Sequence, residues 1–139
     1  MNINEVISGA LYTKLHGVSS IATLVTDRIW YGAAIPGVET AYPYILMSYA
    51  SGGMLNDAPY EAADVTFMVT GLDKTKPGAK AIATRIDTTL RRQTIIYPDG
   101  WYSWARVRQL DEYSRVFNVN NAQYHQEGAY YRFRLSKGL

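Results

Sequence analysis

Asp64-Val65-Thr66-Phe67-Met68-Val69-Thr70-Gly71, followed after a short connection by Pro77-Gly78-Ala79-Lys80-Ala81-Ile82-Ala83-Thr84-Arg85-Ile86-Asp87-Thr88-Thr89-Leu90, decides the fold class. In the first segment Val65, Phe67 and Val69 alternate with Asp64, Thr66 and Thr70, the period of a strand with one apolar face. Gly71 is expected to close it. In the second, Ala79, Ile82, Ala83, Ile86 and Leu90 form one stripe at helical spacing, opposite Lys80, Thr84, Asp87 and Arg91. Pro77 suits the first turn of that helix. A strand and a helix that each carry one apolar side must bury them against each other.

Outward from that pair, the N-terminal side is helical. Ile3, Ile7, Ala10, Leu11 and Leu15 recur at helical spacing behind Asn2 as cap, and Gly17 ends the segment with His16 in its last turn. A shorter helix is expected over Ser20–Val25, capped by Ser19. Asp27 to Gly32 reads as a short extended segment, and Ala33 to Pro43 as a loop broken by Pro36, Gly37 and Pro43. Tyr44 to Ala50 is apolar at nearly every position, which predicts a strand covered on both faces. Ser51-Gly52-Gly53 is expected to open a loop reaching about Pro59, with Met54 and Leu55 as its apolar tip.

On the C-terminal side, Pro98-Asp99-Gly100 is a turn. Strands are predicted over Tyr102–Leu110, Tyr113–Val119 and Ala129–Leu135, with Asp111-Glu112 at a hydrated hairpin turn and an Asn-rich loop at Asn118–Asn121. The Ser51–Pro59 and Asn118–Gly128 regions are expected to order only in an assembly. No repeat or linker interrupts residues 1–139, so the expectation is a single α+β domain. Its N-terminal helices accompany a mainly antiparallel sheet packed on one long helix.

The chain has 139 residues, a formal net charge of +2 and no cysteine, which removes thiolate chemistry and Cys-ligated metal. The charge is unevenly spread. Residues 1–70 carry two bases and six acids, whereas residues 71–139 carry twelve bases and six acids. Such halves either neutralise one another within the fold or attract a second copy. The longest apolar stretch, Tyr42 to Ala50, is too short to span a membrane. Met1 to Glu5 shows no basic region before an apolar core, so no secretory signal is expected and the chain should fold in the cytosol.

No catalytic, cofactor-binding or metal-binding pattern emerges. His16 and His125 lie far apart and in no H-x-x-x-H spacing, and no G-x-S-x-G elbow is present. The run from Gly71 to Lys80 imitates a phosphate loop, but its glycines are too far apart. Lys80 is followed by Ala81 instead of Ser or Thr, and Pro77 lacks a backbone N–H. Asp111 and Glu112 are adjacent, so on a strand their side chains diverge.

The informative feature is a sheet face. Tyr102, Trp104, Arg106 and Arg108 share one parity. Tyr130, Arg132 and Arg134 oppose Ala129, Tyr131, Phe133 and Leu135, which suit a core. If both strands turn the same way, they present one surface of Tyr, Trp and Arg, the residue types of protein–protein hot spots. The same face suits single-stranded nucleic acid, and a self-covered face with arginines over the rings is the plain alternative.

The order of segments resembles the tail completion, or tail terminator, family of long-tailed bacteriophages. Asp27-Arg28-Ile29-Trp30 after an amphipathic helix is similar to that family's D-R-I/V-aromatic segment. Tyr42-Pro43-Tyr44-Ile45 is similar to its P-Y-[IV] strand start. The alternating strand, the Ala81-Ile82-Ala83 helix, and Tyr124-His125 before Tyr131-Arg132-Phe133-Arg134 complete the likeness. The abundant tyrosines and the Asn-rich loop match no pattern of the family. The resemblance implies a structural virion protein and no enzyme. It implies a hexameric ring that caps the tail tube and meets a head-completion or connector protein, with phage DNA passing the lumen unread. It implies neither cofactor nor membrane. The expected subunit contact sets Arg106, Arg108, Arg132 and Arg134, with Trp104 and Tyr130, against Asp57, Glu61 and Asp64, and adds Met54 and Leu55.

Overall fold

The computed structural model of the protein describes residues 2–32, 42–55, 61–119 and 121–137. Helix α1 (Ile3–His16) is followed by α2 (Ser19–Val25), β1 (Ile29–Tyr31), β2 (Tyr44–Leu55) and β3 (Glu61–Asp73). Then come α3 (Lys76–Arg92), β4 (Trp101–Ser103), β5 (Arg108–Val119) and β6 (Ala122–Lys137). The six strands form one sheet in the order β1-β2-β3-β6, with β4 and β5 both paired to the outer side of β6. Only β1 against β2 is parallel; the other pairings are antiparallel. The architecture is the expected α+β arrangement.

Helix α1 begins where expected, with the Asn2 side chain accepting from the Glu5 N–H at 2.9 Å. Helix α2 starts on Val18 and has no side-chain cap, so Ser19 belongs to the helix. Thr75 caps α3 by accepting from the Gly78 N–H at 3.2 Å, and Pro77 sits in the first turn, where a missing N–H costs nothing. The core follows the two decisive segments. Val65, Phe67 and Val69 of β3 and Ala129, Tyr131, Phe133 and Leu135 of β6 are buried with Ala79, Ile82, Ile86 and Leu90 of α3. Val6, Ile7 and Leu11 of α1 and Ile21 and Val25 of α2 join the same cluster. Burying each large side chain there contributes about 1.5–3 kcal/mol. Gly71 does not close β3. It is a contact point, where a Cβ would stand 2.5 Å from Cγ2 of Ile82, so only glycine lets α3 lie this close.

Four expectations are corrected. Ser51–Leu55 continues β2 as strand, because a bulge at Ala50 absorbs the Ser-Gly-Gly run and Gly52 takes φ 91°. Residues 56–60, with Asp57, lie outside the described residues, as does the expected loop at 33–41. In the Asn118–Gly128 region, Asn118 and Val119 end β5 and Ala122–Gly128 belong to β6, with residue 120 outside the described residues. Both Ser51–Leu55 and Ala122–Gly128 are strand within the single chain. Third, the strand expected over Tyr102–Leu110 is broken: it leaves the sheet after Ser103 and re-enters at Arg108. Fourth, Asp111-Glu112 is no hairpin turn but part of a bulge between Gln109 and Glu112 within β5.

The opposite face of the sheet carries no helix among the described residues. Its small apolar cluster is Tyr44, Leu46 and Leu72, with Tyr42 and Phe117 packed against it. Thr70 and Gln126 are buried beside it and bonded: Gln126 Nε2 donates to Thr70 Oγ1 at 2.8 Å, and Thr70 Oγ1 donates to the Leu46 carbonyl at 3.2 Å. At the sheet's far side, β5 has no buried residue along its whole length.

Candidate assembly surface

The helix-free face gathers most of the residues that strand parity selected. Arg108 pairs in register with Arg132, and Tyr102 with Ser136, so both project on the side of Tyr130, Arg132 and Arg134. Trp104 follows Ser103 out of the sheet. Its N–H donates to the Arg134 carbonyl at 3.1 Å, and the Arg134 guanidinium lies 5.2 Å from its ring centroid. That stacking is a cation–π contact at the surface, and 49% of Trp104 stays exposed. Tyr130 is half-buried and meets Tyr113 edge to face at 6.2 Å.

Two expected interface residues are engaged inside the chain. Arg132 donates to both carboxylate oxygens of Asp64, through Nε at 2.8 Å and Nη2 at 2.5 Å. This fork holds the Asp64 carboxyl below its ordinary range, against partial burial and with help from the charges of Arg132 and Arg134. Asp64 is therefore an intrachain acceptor. Adjacent strands of one sheet reach each other before a neighbouring subunit can.

The break after Ser103 builds a pocket that parity did not foresee. Arg106, Arg108 and Arg134 line a cavity of about 410 Å³ together with Arg91, Val107 and Gln109. Arg91 is bound to Asp87 on its own helix at 2.6 Å. Arg106, Arg108 and Arg134 form no ion pair among the described residues, and the buried Nε of Arg134 has no hydrogen-bond partner. Arg106 and Arg108, with no ion pair among the described residues, and Arg134, which feels Asp64 only through its charge, invite carboxylate or phosphate.

The acidic side is less gathered. Glu61 is exposed at the start of β3, across from Lys137 in register. Met54 and Leu55 are exposed at the end of β2. Charge follows the sheet: β1, β2 and β3 hold three acids and no base, whereas β4, β5 and β6 hold five bases and three acids. The uneven halves of the sequence thus become opposite sides of one sheet.

Sequence reasoning missed a second aromatic group on this face. Tyr42 stacks on Tyr124 at 4.6 Å and tilts against Tyr44 at 5.1 Å, while the Arg115 guanidinium lies 4.2 Å over Phe117. The signal was the shared parity of Phe117 and Arg115, readable only once β5 was placed beside β6. Of the two histidines, His16 ends α1 and stacks on Tyr12, and His125 lies in β6. Among the described residues no group of His, Asp and Glu could hold a metal ion, and no helix is long and apolar enough to cross a membrane.

The family of tail completion protein gp17 matches residues 9–125. The chain belongs to that family. It is a structural protein of the virion tail region. No curated protein matches the chain. Among solved structures, a chain of the virion of a native gene transfer agent particle is similar in fold. It has a TM-score of 0.72 and 20% identity over 96% of this chain and 97% of that one. The family match spans the D-R-I-W segment, the alternating strand, the long helix and Tyr124-His125. The tail completion protein therefore has the fold class that the order of those segments implied.

Proposed function

We propose that this tail completion protein assembles as a hexameric ring that terminates the tail tube and joins it to the head–neck connector. The family match carries the reading. The tail tube protein and a head-completion protein are its neighbours, and phage DNA passes through the lumen without its sequence being read. The subunit contact is heterologous, basic side to acidic side, which closes when the rotation permits. Arg106, Arg108 and Arg134, with Trp104 and Tyr130, supply one side; Glu61, Asp57, Met54 and Leu55 supply the other. Arg132 and Asp64, already joined, frame the contact. Sedimentation and negative-stain imaging of the purified protein test this: rings without nucleic acid are expected, and a monomer at every concentration would remove the reading.

A second reading rests on the arginine-lined pocket beside exposed Trp104, which also suits a phosphate chain and a stacked base. Binding to single-stranded DNA that falls steeply with salt, in protein that forms no ring, would favour it.

A further inference from the structure

Among the described residues, both outer edges of the sheet are open where they would have to meet. On one side, β1 pairs only with Ile45–Met47, and among the described residues nothing pairs with the outer edge of Tyr49–Leu55. That stretch, Tyr-Ala-Ser-Gly-Gly-Met-Leu, holds no charge and no proline, the devices that usually guard an edge, and it exposes Tyr49, Met54 and Leu55. On the other side, β5 is paired to β6 along one edge and to nothing described along the other. We propose that β5 of one copy adds, antiparallel, to the Tyr49–Leu55 edge of β2 in the next copy. This inference rests on the ring reading and specifies how its subunits join.

Chain direction permits it. The strands β2, β3, β6 and β5 alternate up and down, so an even set of four ends on a strand antiparallel to the first of the next copy. Head-to-tail addition therefore continues one antiparallel sheet.

The pairings bound the register. Through β3 and β6, Tyr49 lies level with Tyr131 and Leu55 with Ser136, while β5 covers the levels of Ala122 to Arg132. Because β1 occupies the lower part of β2, the neighbour must slide toward Leu55. The slide must be an even number of residues, or its side chains would change face. Four is the smallest even shift that overlays all of Tyr49–Leu55; it brings Val116–Val119 level with Tyr44–Met47, so that end of β5 must diverge from the neighbour's β2 with β1 between them. The shift sets Tyr49 opposite Ser114 and Leu55 opposite Arg108, each pair on a common face, and brings the arginine pocket to the Glu61 end.

Geometry agrees independently. A four-residue slide is about 13 Å along the strands, and four strands are about 19 Å across. A ring built on that step tilts its strands by about 35° to the axis, within the roughly 35–45° that closed sheets adopt.

The absence of native cysteine makes the test direct. Leu55→Cys with Arg108→Cys, and separately Tyr49→Cys with Ser114→Cys, are oxidised and run on non-reducing denaturing gels, while wild type is sedimented in parallel. The expected result is a ladder beyond the dimer for both pairs. A ladder that stops at the dimer means a two-fold contact and overturns the proposal. Wild type that sediments as a ring while neither pair cross-links overturns edge addition and leaves the ring standing. Wild type that stays monomeric, with no cross-link, removes both.

Discussion

Ile82 of α3 rests on Gly71 of β3 so closely that a Cβ on the glycine would stand 2.5 Å from the isoleucine's Cγ2 and 3.2 Å from the Ala79 carbonyl oxygen. The backbone at Gly71 lies in β3, so conformational freedom is not what glycine supplies here; room is. Gly71→Ala must push α3 off the sheet and should cost about 1–3 kcal/mol by overpacking. Urea unfolding checks this; the nearest side-chain atoms are Cγ2 and Cβ of Ile82, so adding Ile82→Val, which keeps both, should not recover the loss.

Ile86, fully buried one turn further along α3, should not tolerate charge. Ile86→Asp places an unpaired carboxylate in the main core at a cost of several kcal/mol, enough to unfold a domain of this size. Loss of the near-ultraviolet circular dichroism signal is the expected readout. Retention of the wild-type melting temperature would contradict the placement of the helix.

Thr70 is the hinge of the small polar relay on the helix-free face. Thr70→Val keeps the shape but leaves the Gln126 amide without its acceptor and takes the hydroxyl's bond from the Leu46 carbonyl. The expected cost is about 1–3 kcal/mol, measured by chemical denaturation. Thr70→Ser should retain most of the stability.

The Arg132–Asp64 fork gives stability a sign with pH. The folded Asp64 carboxyl lies below its unfolded value near 3.9, so its contribution is complete above that pH and fades as pH falls through the folded value. Asp64→Asn should therefore flatten the acid limb of a stability–pH profile below about pH 5, while changing little in the response above neutrality. An unchanged acid limb would mean the fork adds nothing to folding.

At the subunit contact, aromatic burial should outweigh charge. Trp104→Ala is expected to weaken assembly roughly ten- to thirty-fold, and Arg108→Ala by less, because desolvated tryptophans dominate hot spots while rim charges contribute little. Comparative sedimentation of both folded variants decides the order.

How far the sequence was legible depended on whether a feature is local. The stripe of Ala79, Ile82, Ile86 and Leu90 and the alternation of Val65, Phe67 and Val69 are set by neighbours in the chain, and both landed in the core. The inward parity of Tyr131, Phe133 and Leu135 did so too. Ser51-Gly52-Gly53 was misread because glycine signals a loop unless a partner strand stabilises a bulge, and the partner is Asp64–Thr66, far along the chain. The break between Ser103 and Arg108 carries no glycine or proline to announce it. Arg132 was assigned to a neighbouring subunit because its register against Asp64 depends on the pairing of β3 with β6, which no local pattern encodes. Tail completion itself was legible from the order of short segments, none of which would have sufficed singly.

Strand β5 gains little from a core, since none of its residues is buried and only Phe117 packs against the small cluster of Tyr44, Leu46 and Leu72; the ladder to β6 is its main hold. Its free energy of local opening must then lie well below that of the whole domain, while β6, clamped between β3 and β5, opens only when everything does. In isolated protein the β5 amides should exchange with solvent far sooner than those of Ala129–Leu135. A strand that can detach without disturbing the fold can search for another register at little thermodynamic risk, and the lifetime of its closed state then sets how long each encounter with a neighbour has to succeed.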